Sequence, residues 1–163
     1  MRIYLNSLNF FLSKIDSLFR PYPIILTYHS ISDGKTPISV TVDNFREQMF
    51  FLKDNRINVL TLKDFLDFKD KKIKLAGKNV LLTFDDAFKD VFSNALPILK
   101  KYGFPAVIFI NPSLLEEKAK FATLKEDQER DICSVSDLRQ LAESGVVIAN
   151  HGYSHRQLSG LTE

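Results

Sequence analysis

Residues 80–86 read Val80-Leu81-Leu82-Thr83-Phe84-Asp85-Asp86, a short apolar run that ends abruptly on two consecutive carboxylates. A run this short and this apolar predicts a strand buried on both faces, the kind that parallel sheets contain. Four more runs share its β-branched and aromatic character: Ile24 to Tyr28, Ile57 to Leu60, Ala106 to Ile110 and Val146 to Ala149. Helix-like stretches lie between them, at Val42 to Asn55, Leu62 to Lys69, Phe88 to Tyr102 and Ser136 to Ser144. Asp43, Ser136 and Asp137 are the expected helix starts, and Gly103 and Gly145 the expected stops. Strand and helix in alternation predict an α/β fold, either a parallel sheet or a (β/α) barrel.

Composition limits what this fold can do. The 163 residues make about one domain, and a chain of that size buries roughly 70% of its unfolded surface. With 22 Lys and Arg against 20 Asp and Glu, the net charge is only +2. That argues against nucleic acid as a partner, because a polyanion calls for a concentrated basic surface. The basic run Lys69 to Lys74 reads as solvated surface on the same grounds. One cysteine, Cys133, excludes an internal disulfide. Fourteen Phe and no Trp predict a phenylalanine-built core.

Two segments stand apart from the alternation. In residues 1–20, Leu5, Leu8, Leu12, Ile15 and Phe19 recur at three and four, predicting an amphipathic helix. Lys14 and Asp16 interrupt any signal-type core, no small-residue cleavage site follows, and no apolar run nears the roughly 20 residues of a bilayer span. The first expectation is a helix that packs on the domain. The second is peripheral membrane contact through residues 1–20, with Arg2, Lys14 and Arg20 flanking the apolar stripe. A cytoplasmic or membrane-associated protein is expected. Residues 112–131, with Glu116, Glu117, Lys118, Lys120, Lys125 and Glu126, read as an inserted, solvated helix or loop.

The chemistry gathers at the C-terminal ends of the expected strands. His29 follows the first strand, Asp85 and Asp86 the third, and Asn150 and His151 the fifth, with His155 four residues on. In a parallel barrel that face holds the catalytic residues, because its loops converge on one mouth. Each cluster alone has an ordinary structural use. A lone histidine such as His29 is more often simply hydrogen-bonded, paired aspartates can cap a helix, and two histidines four apart can share a solvated turn. Together they offer more. One carboxylate and two imidazoles make a common three-ligand set for a divalent metal with one position open for water. A second carboxylate, adjacent but not a ligand, can take a proton from that water.

Thr83-Phe84-Asp85-Asp86 followed by His151-Gly152-Tyr153-Ser154-His155 resembles the first two motifs of the polysaccharide deacetylases, carbohydrate esterase family four. Leu26-Thr27-Tyr28-His29-Ser30, Ala95-Leu96-Pro97-Ile98-Leu99 and Leu141-Ala142-Glu143-Ser144-Gly145 extend the resemblance from about Ile24 to the last residue. It implies an irregular (β/α) barrel that hydrolyses acetyl groups from N-acetylated sugars with a divalent metal, zinc first, cobalt or nickel also admitted. It implies Asp85 as general base and Asp86, His151 and His155 as metal ligands. N-acetylated polysaccharide or glycan is then the expected substrate. Residues 1–22 are read as the N-terminal amphipathic segment and 23–163 as the deacetylase domain.

Two departures qualify the resemblance. The family carries glycine after the paired acids, whereas Ala87 stands here; if that position needs φ > 0, alanine strains the loop by about 1 kcal/mol. The family also continues past the second histidine motif with further strands, an Arg-containing motif, an Asp motif and a late histidine that acts as general acid. Here the chain ends at Glu163 and holds three histidines. It is therefore expected to be a barrel incomplete at the C-terminus, a fragment whose general acid is absent and whose activity alone is impaired. A catalytically inactive remnant that binds metal, sugar or a partner is the alternative, and an amide hydrolase for a small non-sugar substrate a third.

Overall fold

The computed structural model describes residues 22–34, 36–120, 122 and 125–155. The helix expected in residues 1–20 lies outside the described residues. In chain order the elements are β1 (Ile24–Tyr28), β2 (Ser30–Ile31), β3 (Ser39–Val40), α1 (Val42–Asp54), β4 (Asn58–Val59), α2 (Leu62–Lys69), β5 (Asn79–Phe84), α3 (Leu96–Tyr102), β6 (Ala106–Ile110), α4 (Lys125–Gln128), α5 (Val135–Glu143) and β7 (Val146–Asn150).

β5, which contains the Val80–Phe84 run, is the centre of an all-parallel sheet, with all six residues buried. β1 lies along one edge of it, from Ile24 opposite Val80 to Tyr28 opposite Phe84. The other edge is shared: β4 pairs with Asn79 and Val80, and β6 with Thr83 and Phe84. β7 continues beyond β6, from Ala106 opposite Val146 to Ile110 opposite Asn150. The sheet thus runs β1-β5-β6-β7, with β4 set against the start of β5. This is the wall of an irregular, partial (β/α) barrel. Every strand in it points its C-terminal end the same way.

Helices cover the sheet by the usual amphipathic rule. α1 buries Phe45, Gln48, Met49 and Leu52, spaced three, four and seven apart on one face. Phe45, Tyr28 and Phe84 form the aromatic centre of the core, with ring centroids 5.2–6.0 Å apart. The Tyr28 hydroxyl donates to Gln48 Oε1 at 2.9 Å, and burial pushes that phenol far above its ordinary pKa.

Several local expectations need correction. Helix α1 is capped by Thr41 and not by Asp43, and α5 by Ser134 and not by Ser136 or Asp137. In each case the cap is the extended residue whose hydroxyl reaches the N–H three residues on; Asp137 instead completes the capping box, its side chain accepting from the Ser134 N–H at 2.9 Å. The helix expected from Phe88 opens, after one short turn at Lys89 and Asp90, into a π-helical stretch, Val91–Ala95, before α3. Pro97 explains it: a ring at that position clashes with the carbonyl four residues back, so the preceding turn opens. Residues 112–131 hold a 3₁₀ turn at Pro112–Leu114 and the short α4. They are not solvated throughout. Asp127 and Ala119 are buried, and Lys118 and Ile132 bridge to Asp131 and Phe88. β2 and β3, two residues each, escaped the sequence because so short a strand has no period to detect.

Candidate metal centre

Two strand ends build the site. The Asp85 N–H donates to the Tyr28 carbonyl at 2.9 Å, carrying the β1–β5 ladder one residue past the strand. The backbone then leaves the extended region, with φ of 70° at Asp86 and 53° at Ala87. Two successive left-handed residues, neither a glycine, stand where the paired carboxylates sit. Ala87 thus occupies the positive φ that glycine adopts freely, at a strain of about 1 kcal/mol. Its carbonyl accepts from the Cys133 N–H at 2.9 Å, which ties the loop down.

The second strand end works alike. The His151 N–H donates to the Ile110 carbonyl at 2.8 Å and extends the β6–β7 ladder. Gly152, at φ 89°, turns the chain, and its N–H donates to Asn150 Oδ1 at 3.0 Å. The backbone and hydroxyl of Ser113 both donate to the Tyr153 carbonyl, at 3.1 and 2.7 Å, fixing the loop between the two histidines.

The result is one cluster. Asp86 Oδ1 lies 3.3 Å from His151 Nε2 and 3.1 Å from His155 Nε2. One donor atom from each residue lies within 4.8 Å of the others. A tetrahedral zinc with ligand bonds of about 2.0–2.1 Å has ligand–ligand edges of about 3.3 Å, and the two edges from Asp86 match that length. Asp86 is buried, while the histidine side chains are 30% and 37% exposed, which leaves an approach from solvent.

Asp85 is buried, one residue before the cluster, and is not among its three donors. His29, at the end of β1, brings Nε2 to 3.9 Å from Asp86 Oδ2. The sequence placed it on this face without giving it a part in the site. Asn111, directly after β6, donates from Nδ2 to Asp86 Oδ1 at 3.4 Å. A polar residue straight after a buried strand is the signal that singles out Asp85 and His151 in the sequence, and Asn111 carries it too.

The family profile of the polysaccharide deacetylases matches residues 72–163. The Bacillus subtilis (strain 168) protein YxkH, whose name places it among the polysaccharide deacetylases, is 36% identical over 138 residues, 85% of this chain and 45% of that protein. The poly-β-1,6-N-acetyl-D-glucosamine N-deacetylase of Staphylococcus aureus (strain N315) is 36% identical over 108 residues, 66% of this chain and 34% of its own length. The chain therefore spans less than half the length of these curated relatives. Among solved structures, IcaB from Ammonifex degensii superposes with a TM-score of 0.73 at 24% identity, over 81% of this chain and 53% of that one. A de-N-acetylase from Aggregatibacter actinomycetemcomitans gives 0.66 at 28%, over 78% and 53%. Matched by the profile over more than half its residues, and carrying both strand-end motifs in one cluster, the chain belongs to the polysaccharide deacetylase family.

Proposed function

We propose that this chain carries the metal-binding part of a carbohydrate de-N-acetylase, a hydrolase that frees acetate from N-acetylated sugar units of a polysaccharide. The observation that carries the reading is the Asp86, His151 and His155 cluster, with a second buried carboxylate, Asp85, beside it at the same strand end. Those three residues would hold the divalent ion, and two imidazoles with one carboxylate admit zinc, cobalt or nickel. When bound, such an ion polarises the acetyl carbonyl and acidifies a water.

The chain's own groups do the rest. Asp85 is the general base that takes the proton from the attacking water. His29, at 3.9 Å from Asp86, is the imidazole outside the ligand set, and we assign it the proton that the departing sugar amine needs. The family resemblance implies a late histidine as that donor; the position of His29 at the cluster supports finding the donor within this chain. The Staphylococcus aureus relative is named for a β-1,6-linked N-acetylglucosamine polymer, which makes that sugar the first substrate to try.

The test uses the full chain loaded with zinc, cobalt or nickel, with acetate release from N-acetylglucosamine oligomers and metal uptake measured together. Asp85→Asn should keep the ion and lose about 10²-fold or more in rate, and His29→Gln should keep it and lose about 10²–10⁴-fold. Asp86→Ala should lose the ion itself. Metal uptake with no acetate release from any oligomer would overturn the hydrolase reading and leave a metal-binding remnant.

A further inference from the structure

At the far end of β1 from the metal centre, the surface has a different character. Tyr22, Ile25, Phe65, Phe68 and Ile73 line a cavity of about 620 Å³. Tyr22 meets Phe68 edge-on, with centroids 6.1 Å apart. None of this is sealed: α2 has no buried residue, Tyr22 is 71% exposed, and Ile25 and Ile73 are each 38% exposed.

The rim of this apolar floor is cationic. Lys69, Lys71 and Lys74 line it, and among the described residues none of them pairs with a carboxylate. Nearby Lys63 and Lys72 are neutralised instead, by Asp67 and Asp70. The chain that leads into Tyr22 carries the Leu5 to Phe19 repeat with Arg2, Lys14 and Arg20. An apolar peptide gains nothing from three unneutralised lysines, and a polyanion gains nothing from exposed isoleucine and tyrosine. A bilayer with anionic headgroups satisfies both.

We infer that this face docks on the surface of an anionic lipid bilayer, with Tyr22, Ile25 and Ile73 entering the headgroup boundary and Lys69, Lys71 and Lys74 meeting lipid phosphates. Lysine suits the rim, because its aliphatic stem covers apolar surface while its ammonium reaches the phosphates. The orientation follows from β1. Its five residues span about 16 Å, with the docking face before Ile24 and His29 directly after Tyr28. Docked this way, the metal centre opens on the side away from the lipid, where a polymer can reach it.

The test is cosedimentation of the full chain with vesicles of phosphatidylcholine alone and of phosphatidylcholine mixed with phosphatidylglycerol. The chain should bind the mixed vesicles, release them as salt rises, and ignore the neutral ones. Replacing Lys69, Lys71 and Lys74 together by Gln should weaken binding about a hundredfold, and Ile73→Asp should weaken it while leaving the circular dichroism and zinc uptake unchanged. Equal binding to both vesicle types would overturn the proposal. So would binding that both variants retain, which would place the contact in residues 1–20 alone. Unchanged vesicle binding with a lower melting temperature in Ile73→Asp would overturn it too, by showing that residues 1–20 cover the groove within the chain.

Discussion

Asn111 holds Asp86 from behind while its own side-chain oxygen Oδ1, in a residue only 1% exposed, has no partner among the described residues. Such second-layer contacts orient a metal ligand, and removing one costs about 10–100-fold in metal affinity. Asn111→Leu should therefore weaken zinc binding by that factor in a calorimetric titration, with the fold kept; unchanged affinity would show that Asp86 needs no support. Ala87 is the other informative residue. Ala87→Gly relieves about 1 kcal/mol of left-handed strain and gives up about 0.8 kcal/mol of buried methyl, so it should leave stability nearly level. A β-branched side chain tolerates that φ worst, and Ala87→Val should cost about 2–3 kcal/mol by urea denaturation. At this scale the sequence singles out Asp85, Asp86 and His151, because they stand where a run apolar enough to be a strand ends, and His155 by its spacing of four from His151. Asn111 and His29 are single polar residues, and only the closing of three strand ends onto one point gives them a role.

Between elements, a polar tie is built around Arg130. It donates to the hydroxyls of Ser30 and, at 3.0 Å, Ser39, and it pairs with Asp127 at 3.2 Å and Asp90 at 3.7 Å. It thereby locks β2 and β3 to the segment after β6, one residue beyond His29. Gly34 leaves the space for it: a Cβ there would collide with Arg130 Nη2. Arg130→Met would strand the 2% exposed Asp127 carboxylate and should cost about 3 kcal/mol in chemical denaturation. Asp90 adds a pH dependence. Burial holds its pKa above the ordinary 3.8, against the lowering pull of the Ile31 N–H, the Ser30 hydroxyl and Arg130. The folded chain thus keeps the Asp90 proton more tightly than the unfolded chain does, so its contribution favours folding in acid and is lost as pH rises through that interval. Between about pH 4 and about pH 6, the melting temperature of Asp90→Asn should fall less, or rise more, than that of the parent. None of this lock was legible in the sequence. The five sheet strands announce themselves by apolar runs, whereas β2, β3 and their polar partners are joined across 60 to 100 residues.

At the scale of the molecule, alternation of strand and helix is enough to read a parallel sheet, open or closed, because each run must find a partner to bury against; the choice of a barrel wall comes from the family resemblance. Alternation cannot tell that β4 and β6 share one edge of β5, since that depends on which long-range pairing wins. The metal centre inherits this: its ligands come from the ends of β5 and β7, which only the completed sheet brings together. An ion held there binds the native chain and not the unfolded one, and at 100 times its Kd adds about 2.7 kcal/mol of stability. Cys133 can report that energy. Its side chain is buried against the Phe88 carbonyl, its N–H holds Ala87, and burial pushes its thiol up to about 12. With so little thiolate and no access, it should react with iodoacetamide at pH 8 only when the core opens. Labelling of the full chain should then be slow, and zinc at 100 times its Kd should slow it by about a further hundredfold. Asp86→Ala should abolish the zinc effect. Rapid labelling without metal would mean that the sheet does not close over Cys133. An equal zinc effect in Asp86→Ala would mean that the ion acts on the thiol itself, and the cluster would lose its standing as the site through which metal and fold are coupled.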